Sequence, residues 1–517
     1  MPTSDRTAAN RSLLGSLLFW IVVLSLYSSW TWTSEINDYG GDSAMYLLTA
    51  QHWSPLGSHN AAAAHFASMS IFPPLYPLLL ALFSAGDKWL IAHQITAFCG
   101  VAALFLCWKW LRISEFPMLE SLAAIVLLAT IPGFYLQALY IHSEFLFILF
   151  VALCIYAICL LERDGKGIHV VIAALAALGA YLTRSAGIAL VAALIVYFVL
   201  NRPRREWPTV VTLTMAPVFA WMLLGQNSSS YFSYWSMQLS AVASGGITDF
   251  LAGQIAWISD GFGQNLNGPG SGNTSAVYFL AAGCGVAWLI RLWQRKIDAL
   301  FLGAYFAILV IWPYPAERMR YLFPVIPILL VELLLVIHSL GWQSPRWNAR
   351  IASRLTMLVI AITLLPNLIL TLQRRFEPLP ASLESLRQSP EWFGPGSRDE
   401  RLAAVFQSLS RRSSYQKIAA HVPEADCVYA TKAPVAAILS GRMSLNTPLP
   451  DSSLGMKLDP DAAACRYVYM ETFNSPTYAE HFYPLSRWEA DLQLLQATYM
   501  LDGSEEKILM GLIAEIK

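Results

Sequence analysis

The most constraining feature of the sequence is a series of long apolar runs separated by short polar loops. The chain has 517 residues, of which 56% are hydrophobic and 13% are charged, and its mean hydropathy is +0.48. A helix needs about 17 to 25 apolar residues to cross the hydrocarbon core of a bilayer. About eleven runs approach that length. They cover roughly residues 13–30, 89–111, 118–136, 143–161, 168–183, 185–200, 208–225, 274–290, 298–313, 321–340 and 351–371. The sequence therefore predicts a polytopic α-helical membrane protein.

Positive charge alternates between successive loops. Lys and Arg in short loops collect on the cytoplasmic side of a membrane. Alternate loops carry these residues: Arg112; Arg163 and Lys166; Arg202, Arg204 and Arg205; Arg291, Arg295 and Lys296; Arg346, Arg350 and Arg354. The first and second large intervening loops, 32–87 and 226–273, contain no Lys or Arg. This pattern predicts a multi-pass protein of the cytoplasmic membrane with a cytoplasmic N-terminus and an extracytoplasmic C-terminal region. The net charge of zero gives no reason to expect a nucleic-acid partner.

The segment 72–85 is the weak point of this topology, because it is apolar enough to resemble one more span. It contains Pro73, Pro74 and Pro77 and is too short to cross a bilayer as a straight helix. We expect an interfacial or re-entrant helix here.

The composition after residue 371 is that of a soluble domain. Periodicity predicts helices at 413–422 and 433–440, strands at 427–431 and 466–470, and a terminal hairpin at 492–501 and 506–514. The sequence thus divides into a transmembrane domain, 1–371, and a small extracytoplasmic α/β domain, 372–517. Cys427 and Cys465 are the only cysteines of the second domain. They form either a disulfide or a pair of buried thiols.

Ionisable side chains at membrane depth are costly and therefore need a partner or a function. Those of this chain gather at the predicted outer ends of the apolar runs, and they are Asp42, His142, Glu144, Arg184, Glu317, Arg318 and Arg320. The planar fork of arginine suits phosphate. We expect Arg184, Arg318 and Arg320 to hold a lipid phosphate. The alternative is that they form structural ion pairs with Glu144 and Glu317.

Asp42 lies in the first outer loop, where a helical pattern begins. A carboxylate at this position is a candidate general base. It is also a candidate N-cap of the helix, a role that would not exclude catalysis. Asp38, one helical turn earlier, is the competing carboxylate.

Other polar and aromatic residues of the outer loops are weaker candidates. We expect Tyr46, Tyr76 and His142 to contact substrate, although interfacial belts are also rich in tyrosine. The spacing of the histidines matches no metal-ligand pattern, and they are His52, His59, His65 and His142. No metal site and no cofactor are therefore predicted, since ligand spacing gives a divalent ion no support. Glu332, inside the tenth run, has no explanation from the sequence.

Five short motifs occur in order on the predicted outer side. They are Gly41-Asp42-Ser43-Ala44-Met45-Tyr46, Pro73-Pro74-Leu75-Tyr76-Pro77-Leu78, His142-Ser143-Glu144, Leu182-Thr183-Arg184-Ser185 and Arg320-Tyr321-Leu322-Phe323-Pro324-Val325-Ile326-Pro327. Together they resemble the GT-C superfamily of polytopic glycosyltransferases that use polyprenyl-phosphate sugars, near its bacterial protein mannosyltransferase-like and lipid A aminoarabinose transferase-like members. The last motif is similar to the family's Arg-Tyr-x-x-Pro-x-x-Pro element. The resemblance covers about residues 13–371.

The resemblance implies transfer of a sugar from a polyprenyl-phosphate donor to an acceptor, with inversion at the anomeric carbon. Asp42 would be the general base, and Glu144 would orient the acceptor or an arginine. Arg184, Arg318, Arg320 and Tyr321 would line the donor site. Many relatives have Asp where this chain has Glu144, which puts the role of that second acid in question. The sugar and the acceptor are not identified by the motifs.

Three other classes are weighed against this interpretation. A secondary transporter should show repeated halves and polar groups near the bilayer midplane, and neither is evident. A membrane sensor would not need acids and arginines gathered at one interface. A polymerase or ligase that acts on lipid-diphosphate glycans differs in the length of the chain transferred, which the sequence does not reveal.

Overall fold

The computed structural model describes residues 3–38, 41–58, 60–70, 72–224, 246–268, 275–311, 318–343, 349–379, 389–394, 396–446, 465–471, 492–501 and 507–516. Several sequence predictions fall outside these residues. They concern Glu317, His59, the turn at 502–503 and much of the loop 226–273.

The described chain is mostly helical. The first helices are α1 (Thr3–Trp30), α2 (Asp42–Trp53), α3 (Ala61–Met69), α4 (Leu75–Leu82), α5 (Trp89–Ile113), α6 (Met118–Ala129), α7 (Pro132–Gln137), α8 (Glu144–Asp164), α9 (Gly167–Thr183), α10 (Ile188–Asn201) and α11 (Trp207–Leu224). They are followed by α12 (Ile247–Asn267), α13 (Ser275–Trp293), α14 (Ile297–Val310), α15 (Arg318–Leu322), α16 (Ile326–Gln343), α17 (Ala349–Phe376), α18 (Arg398–His421) and α19 (Ala433–Ser440). Five strands complete it: β1 (Cys427–Ala430), β2 (Met443–Asn446), β3 (Tyr467–Glu471), β4 (Leu492–Leu501) and β5 (Lys507–Ile516).

The chain forms two compact units that interleave along the sequence. The helical unit comprises 1–33, 71–76 and 93–378. The second unit, called the mixed unit below, comprises 34–70, 77–92 and 379–517. The mixed unit therefore contains most of the segment 32–87 as well as the C-terminal segment. The predicted domain boundary at 371 lies inside α17, which continues to Phe376.

The apolar runs are helices. Five helices are long and apolar enough to cross a membrane, judged by length and composition, and they are Trp89–Ile113, Glu144–Asp164, Ser275–Trp293, Arg318–Leu340 and Arg350–Phe376. Shorter apolar helices occupy Gly15–Trp30, Met118–Ala129, Gly167–Thr183, Ser185–Asn201 and Ile297–Val310. This pattern is that of a multi-pass membrane protein, while the number of eleven spans stays a prediction.

Three local features differ from or refine the sequence prediction. The run 118–136 is split into α6 and α7, because Pro132 starts a new helix and cannot continue the preceding one. Helix α12 lies within the predicted loop 226–273. Helix α4 has eight residues, so it spans only about 12 Å and is too short to cross a bilayer, as its prolines indicated.

The mixed unit is built on a five-stranded sheet with the order β2-β1-β3-β5-β4. Strand β1 is parallel to β2 and β3, whereas β5 is antiparallel to β3 and β4. Helix α19 connects the parallel pair β1 and β2, as a crossover requires. The predicted helix 413–422 is the end of the longer α18, which starts at a capping box formed by Ser397 and Glu400. Strand β2 was not predicted.

A buried acid joins α18 to the sheet. Glu471, at the end of β3, forms an ion pair with Arg411 and accepts a hydrogen bond from the Tyr415 hydroxyl. Burial raises the pKa of Glu471 to about 7, against the opposing effect of the Arg411 charge. The same burial, together with the nearby Glu471 charge, raises the pKa of Tyr415 well above its usual range. This contact fixes α18 on one face of the sheet.

The two cysteines of the C-terminal segment form a disulfide. Cys427 begins β1 and Cys465 lies just before β3, the neighbouring strand, and their Cα atoms are 4.9 Å apart. The described cysteines of the helical unit are free thiols. Of the two alternatives that the sequence left open, the structure therefore has the disulfide.

We expect the double substitution Cys427→Ser and Cys465→Ser to destabilise the mixed unit by about 2 to 4 kcal/mol, because the crosslink restricts the unfolded chain. The measurement is the thermal unfolding midpoint of the purified protein, with and without reductant. Cys284→Ser, in a span, is the control and should leave the effect of reductant intact. An unfolding midpoint of the wild type that does not respond to reduction would contradict the expectation.

Candidate functional site

The helical unit contains a nearly buried cluster of one carboxylate and two guanidinium groups. Glu144 Oε1 lies 2.5 Å from Arg184 Nη1 and 2.5 Å from Arg320 Nε. The Glu144 side chain is 1% exposed, and each arginine side chain is 11% exposed. We call these three residues the charged triad. Within the triad, one carboxylate oxygen contacts both guanidinium groups.

Three separate segments bring the triad together. Glu144 is the first residue of α8, the most hydropathic of the five long spans. Arg184 follows α9 at Thr183 and has an extended backbone, and its Nη1 also donates to Ser143 Oγ at 3.4 Å. Arg320 lies in the short helix α15. The triad therefore depends on tertiary packing and not on local sequence.

The second oxygen of Glu144 differs from the first. Glu144 Oε2 is buried and has no hydrogen-bond partner among the residues that the structure describes. A buried carboxylate oxygen without a partner is expensive. A ligand hydroxyl or another proton donor at this position would therefore be stabilised.

Aromatic residues adjoin the triad residues in the sequence and pack against one another. Phe145 packs edge to face against Phe134 and Phe323, with ring centroids 4.8 Å and 5.1 Å apart. The Tyr305 hydroxyl donates to the carbonyl oxygen of Tyr321 at 2.9 Å. The triad side chains themselves are nearly buried, and electrostatic interactions are strong in such a low-dielectric setting.

Two predicted substrate residues flank the triad in sequence. His142 is 5% exposed, and its ring stacks on Tyr140 with centroids 5.1 Å apart. Tyr321 follows Arg320, and its backbone carbonyl oxygen accepts a hydrogen bond from the Tyr305 hydroxyl. Roles for both in substrate binding stay predictions.

Arg318 does not join the triad. Its Nε lies 2.7 Å from Asp260 Oδ2 of α12, and both side chains are more than one third exposed. The sequence grouped Arg318 with Arg320. On a helix, residues two positions apart point in different directions, which separates the two guanidinium groups.

Helix α12 holds α15 in place through three contacts. Asn265 is fully buried, and its Nδ2 donates to the Gly261 and Met319 carbonyl oxygens, each at 2.8 Å. A Cβ at Gly261 would lie 2.9 Å from the Arg318 carbonyl oxygen and 2.6 Å from Leu322 Cδ1, so the helices touch at this glycine. The third contact is the ion pair of Asp260 with Arg318. Sequence analysis missed Asp260 and Asn265, although two polar groups in a loop free of Lys and Arg were the available signal.

Asp42 belongs to the mixed unit and opens α2. The N-cap of α2 is Gly41, with φ 108°, and Asp42 is the first helical residue and half-buried. The carboxylate that serves the helix start is Asp38, whose Oδ2 accepts the Ser43 N–H at 2.9 Å. The N-cap alternative for Asp42 is therefore wrong. The competing carboxylate, Asp38, accepts the hydrogen bond from the first turn of the helix instead.

The two candidate tyrosines are interior residues of their units. Tyr46 is 2% exposed and Tyr76 is fully buried, with its hydroxyl 2.8 Å from Thr96 Oγ1. Their burial contradicts the belt alternative, since belt aromatics face lipid headgroups. A role for either in substrate contact stays a prediction.

A second buried cluster accounts for Glu332. Arg291 forms an ion pair with Asp298 and lies 3.9 Å from Glu332 Oε1. Both acids are fully buried. This cluster combines one guanidinium group with two carboxyl groups, whereas the triad combines two guanidinium groups with one carboxylate. Within the described ranges, no three His, Cys, Asp or Glu side chains are grouped as metal ligands would be.

Several solved structures are similar to the chain over most of its length. ArnT from Cupriavidus metallidurans bound to undecaprenyl phosphate is 15% identical, with a TM-score of 0.47, and the match covers 96% of this chain and 97% of that one. The oligosaccharyltransferase AglB from Archaeoglobus fulgidus, in complex with an inhibitory peptide and a dolichol-phosphate, is 14% identical, with a TM-score of 0.48 and coverages of 95% and 74%. A complex of the Archaeoglobus fulgidus oligosaccharyltransferase with Zn and sulfate is 14% identical, with a TM-score of 0.49 and coverages of 95% and 73%.

No protein-family model and no curated protein sequence matches this chain.

We expect Glu144→Gln to destabilise the helical unit by about 3 to 5 kcal/mol, because two nearly buried guanidinium groups would lose their counterion. The matched control is Glu120→Gln. Glu120 is also buried, but its partner Arg354 is 61% exposed and can return to water. The measurement is the thermal unfolding midpoint in detergent. Equal losses in the two variants would contradict the structural importance of the triad.

We expect Asn265→Leu to loosen α15, because the Met319 carbonyl would lose its buried donor at a cost of about 1 to 3 kcal/mol. Gln254→Leu, on the same helix and half-buried, is the control. Hydrogen exchange of residues 318–325, followed by mass spectrometry, should accelerate in the first variant alone. Unchanged exchange there would remove Asn265 as a support of α15.

Proposed function

We propose that this protein is a membrane glycosyltransferase that transfers a sugar from a polyprenyl-phosphate donor to an acceptor at the outer face of the cytoplasmic membrane. The observation that carries the proposal is the charged triad, which holds two nearly buried guanidinium groups side by side at the first residue of an apolar span. Ionisable side chains at membrane depth are costly and mark functional sites. Two guanidinium groups held by one carboxylate oxygen offer several donors to an anion at the same point.

The chemistry of the anion follows from the residues. Two arginines with planar donor groups match the oxygens of a phosphate. Their position at the start of a span suits a phosphate whose tail lies in the bilayer. The proposed topology of eleven spans, with a cytoplasmic N-terminus and an extracytoplasmic C-terminal segment, puts this position at the outer leaflet.

The proposed role of Glu144 is to hold both arginines with Oε1. The sequence resemblance implied that Glu144 orients either the acceptor or an arginine, and this geometry supports the second role. Glu144 Oε2 can then accept a hydrogen bond from a donor group of the substrate. The longer side chain of Glu, where many relatives have Asp, supports the same role because it reaches two guanidinium groups with one atom.

The proposed reaction is a single displacement. The acceptor oxygen forms a bond to the anomeric carbon while the bond from that carbon to the phosphate oxygen breaks, with inversion. The acceptor proton goes to the Asp42 carboxylate. Negative charge builds on the departing polyprenyl phosphate, and Arg184 and Arg320 stabilise it. The assignment of Asp42 rests on the sequence motif alone.

Binding of undecaprenyl phosphate to the protein in nanodiscs tests the anion site. Arg184→Ala and Arg320→Ala should each weaken binding about 10- to 100-fold, since a charge-assisted hydrogen bond contributes about 1.5 to 3 kcal/mol. Arg318→Ala is the matched control and should bind as the wild type does, because Arg318 is paired with Asp260. An equal loss in all three variants, or a wild type that does not bind the lipid, would contradict the proposal.

The catalytic role of Asp42 is tested separately with undecaprenyl phosphate carrying mannose, glucose or 4-aminoarabinose. The donors are incubated with envelope extract, and released undecaprenyl phosphate is measured. Asp42→Asn should reduce kcat about 10²- to 10⁴-fold and leave the affinity for undecaprenyl phosphate unchanged. Asp38→Asn is the control for the neighbouring carboxylate, and an undiminished rate in Asp42→Asn would remove Asp42 from the mechanism.

A further inference from the structure

Helix α2, which begins with Asp42, is packed inside the mixed unit. Ala44 is fully buried in the same apolar cluster as Val435 and Ala436 of α19. Leu48, one turn later, belongs to a second cluster with Ala433 and Ala437. One face of α2 is thus covered by the C-terminal segment.

The covering face of α19 is made of small side chains. Ala433, Ala436 and Ala437 have the spacing of neighbours on one side of a helix, and all are buried. Alanine at these positions lets the α2 backbone come close. A Cβ placed on Gly41 would lie 4.0 Å from Val435 Cγ2, so the approach begins at the helix start.

A polar contact fixes the segment that leads into α2. Glu35 forms an ion pair with Arg412 of α18, and both side chains are more than half covered. Asp38 then accepts the Ser43 N–H at 2.9 Å. These two contacts hold the chain immediately before Asp42.

Helix α18 is itself anchored. Arg411 forms an ion pair with Glu471 of β3. The following residue, Arg412, is the one that pairs with Glu35. Gly511 of β5 packs closely under α18, since a Cβ there would lie 2.0 Å from Ser414 Oγ. The sheet therefore supports α18, and α18 supports the entry to α2.

We propose that Arg412 and Ala436 of the C-terminal segment are positioning residues for Asp42, acting through α2 and not by contact with substrate. They fix the start and the axis of α2 and thereby the direction of its first carboxylate. This inference rests on the proposed role of Asp42 as general base. It assigns the C-terminal segment a part in the reaction that differs from binding the acceptor.

The first test removes and restores the ion pair without altering the apolar core. Arg412→Gln and Glu35→Gln should each increase hydrogen exchange of residues 42–53 and reduce kcat in the donor assay above at least 5-fold. The Kd for undecaprenyl phosphate should stay within 2-fold of the wild type. The charge swap Glu35→Arg with Arg412→Glu should recover most of kcat, which a nonspecific loss of stability would not allow.

The matched control is Arg466→Gln, which removes an ion pair with Glu515 on the sheet of the same unit. It should leave both kcat and the exchange of α2 unchanged. Ala436→Leu is a second, independent variant and should accelerate exchange of α2 and lower kcat, because it adds volume to the buried contact with α2.

The outcomes separate this inference from the proposed function. If Asp42→Asn is inactive but the Arg412 and Ala436 variants keep wild-type kcat and exchange, the positioning role is overturned and the base assignment stands. If Asp42→Asn keeps its activity, the base assignment falls and the positioning role in catalysis falls with it. A rise in the KM for the acceptor at constant kcat would overturn the inference in favour of direct acceptor binding.

Discussion

The interaction on which the helical unit depends is the contact of one Glu144 oxygen with two arginines. Taking these three charges out of water costs several kcal/mol for each ion unless they are paired. The pairing joins α8, the end of α9 and α15 at one point. The Arg291 cluster has the opposite composition, since one guanidinium group faces two buried acids, Asp298 and Glu332. Of the two clusters, the triad is the one that presents two guanidinium groups side by side.

The sequence predicted the helical part well because its signal is local. The apolar runs are largely helical, although 118–136 is divided between α6 and α7, and the prolines of 72–85 correctly indicated a short element. Helix α12 was missed because its apolar residues alternate with Asp260, Asn265 and glycines, a composition that is typical of a loop. Strand β2 was missed because four residues with one buried side chain give no alternation to detect.

The candidate site was predictable only as a set of residue types. Charge at membrane depth identified Glu144, Arg184 and Arg320 without any knowledge of their distances. The same rule included Arg318, because composition does not record which way a helical side chain points. Asn265 was not predicted because its side chain is uncharged. Its role depends on a hydrogen bond to the backbone carbonyl oxygen of Met319, and no sequence pattern indicates that partner.

The mixed unit shows how a helix can belong to a distant part of the chain. A helix of twelve residues such as α2 is marginal by itself in water and needs an apolar surface to pack on. That surface is α19, almost four hundred residues later in the chain. Because Ala44 and Ala436 are both fully buried in one cluster, α2 cannot keep its axis if 379–517 is unfolded. Any chemistry performed by Asp42 is therefore conditional on the folding of the C-terminal segment, even if no residue of that segment touches a substrate.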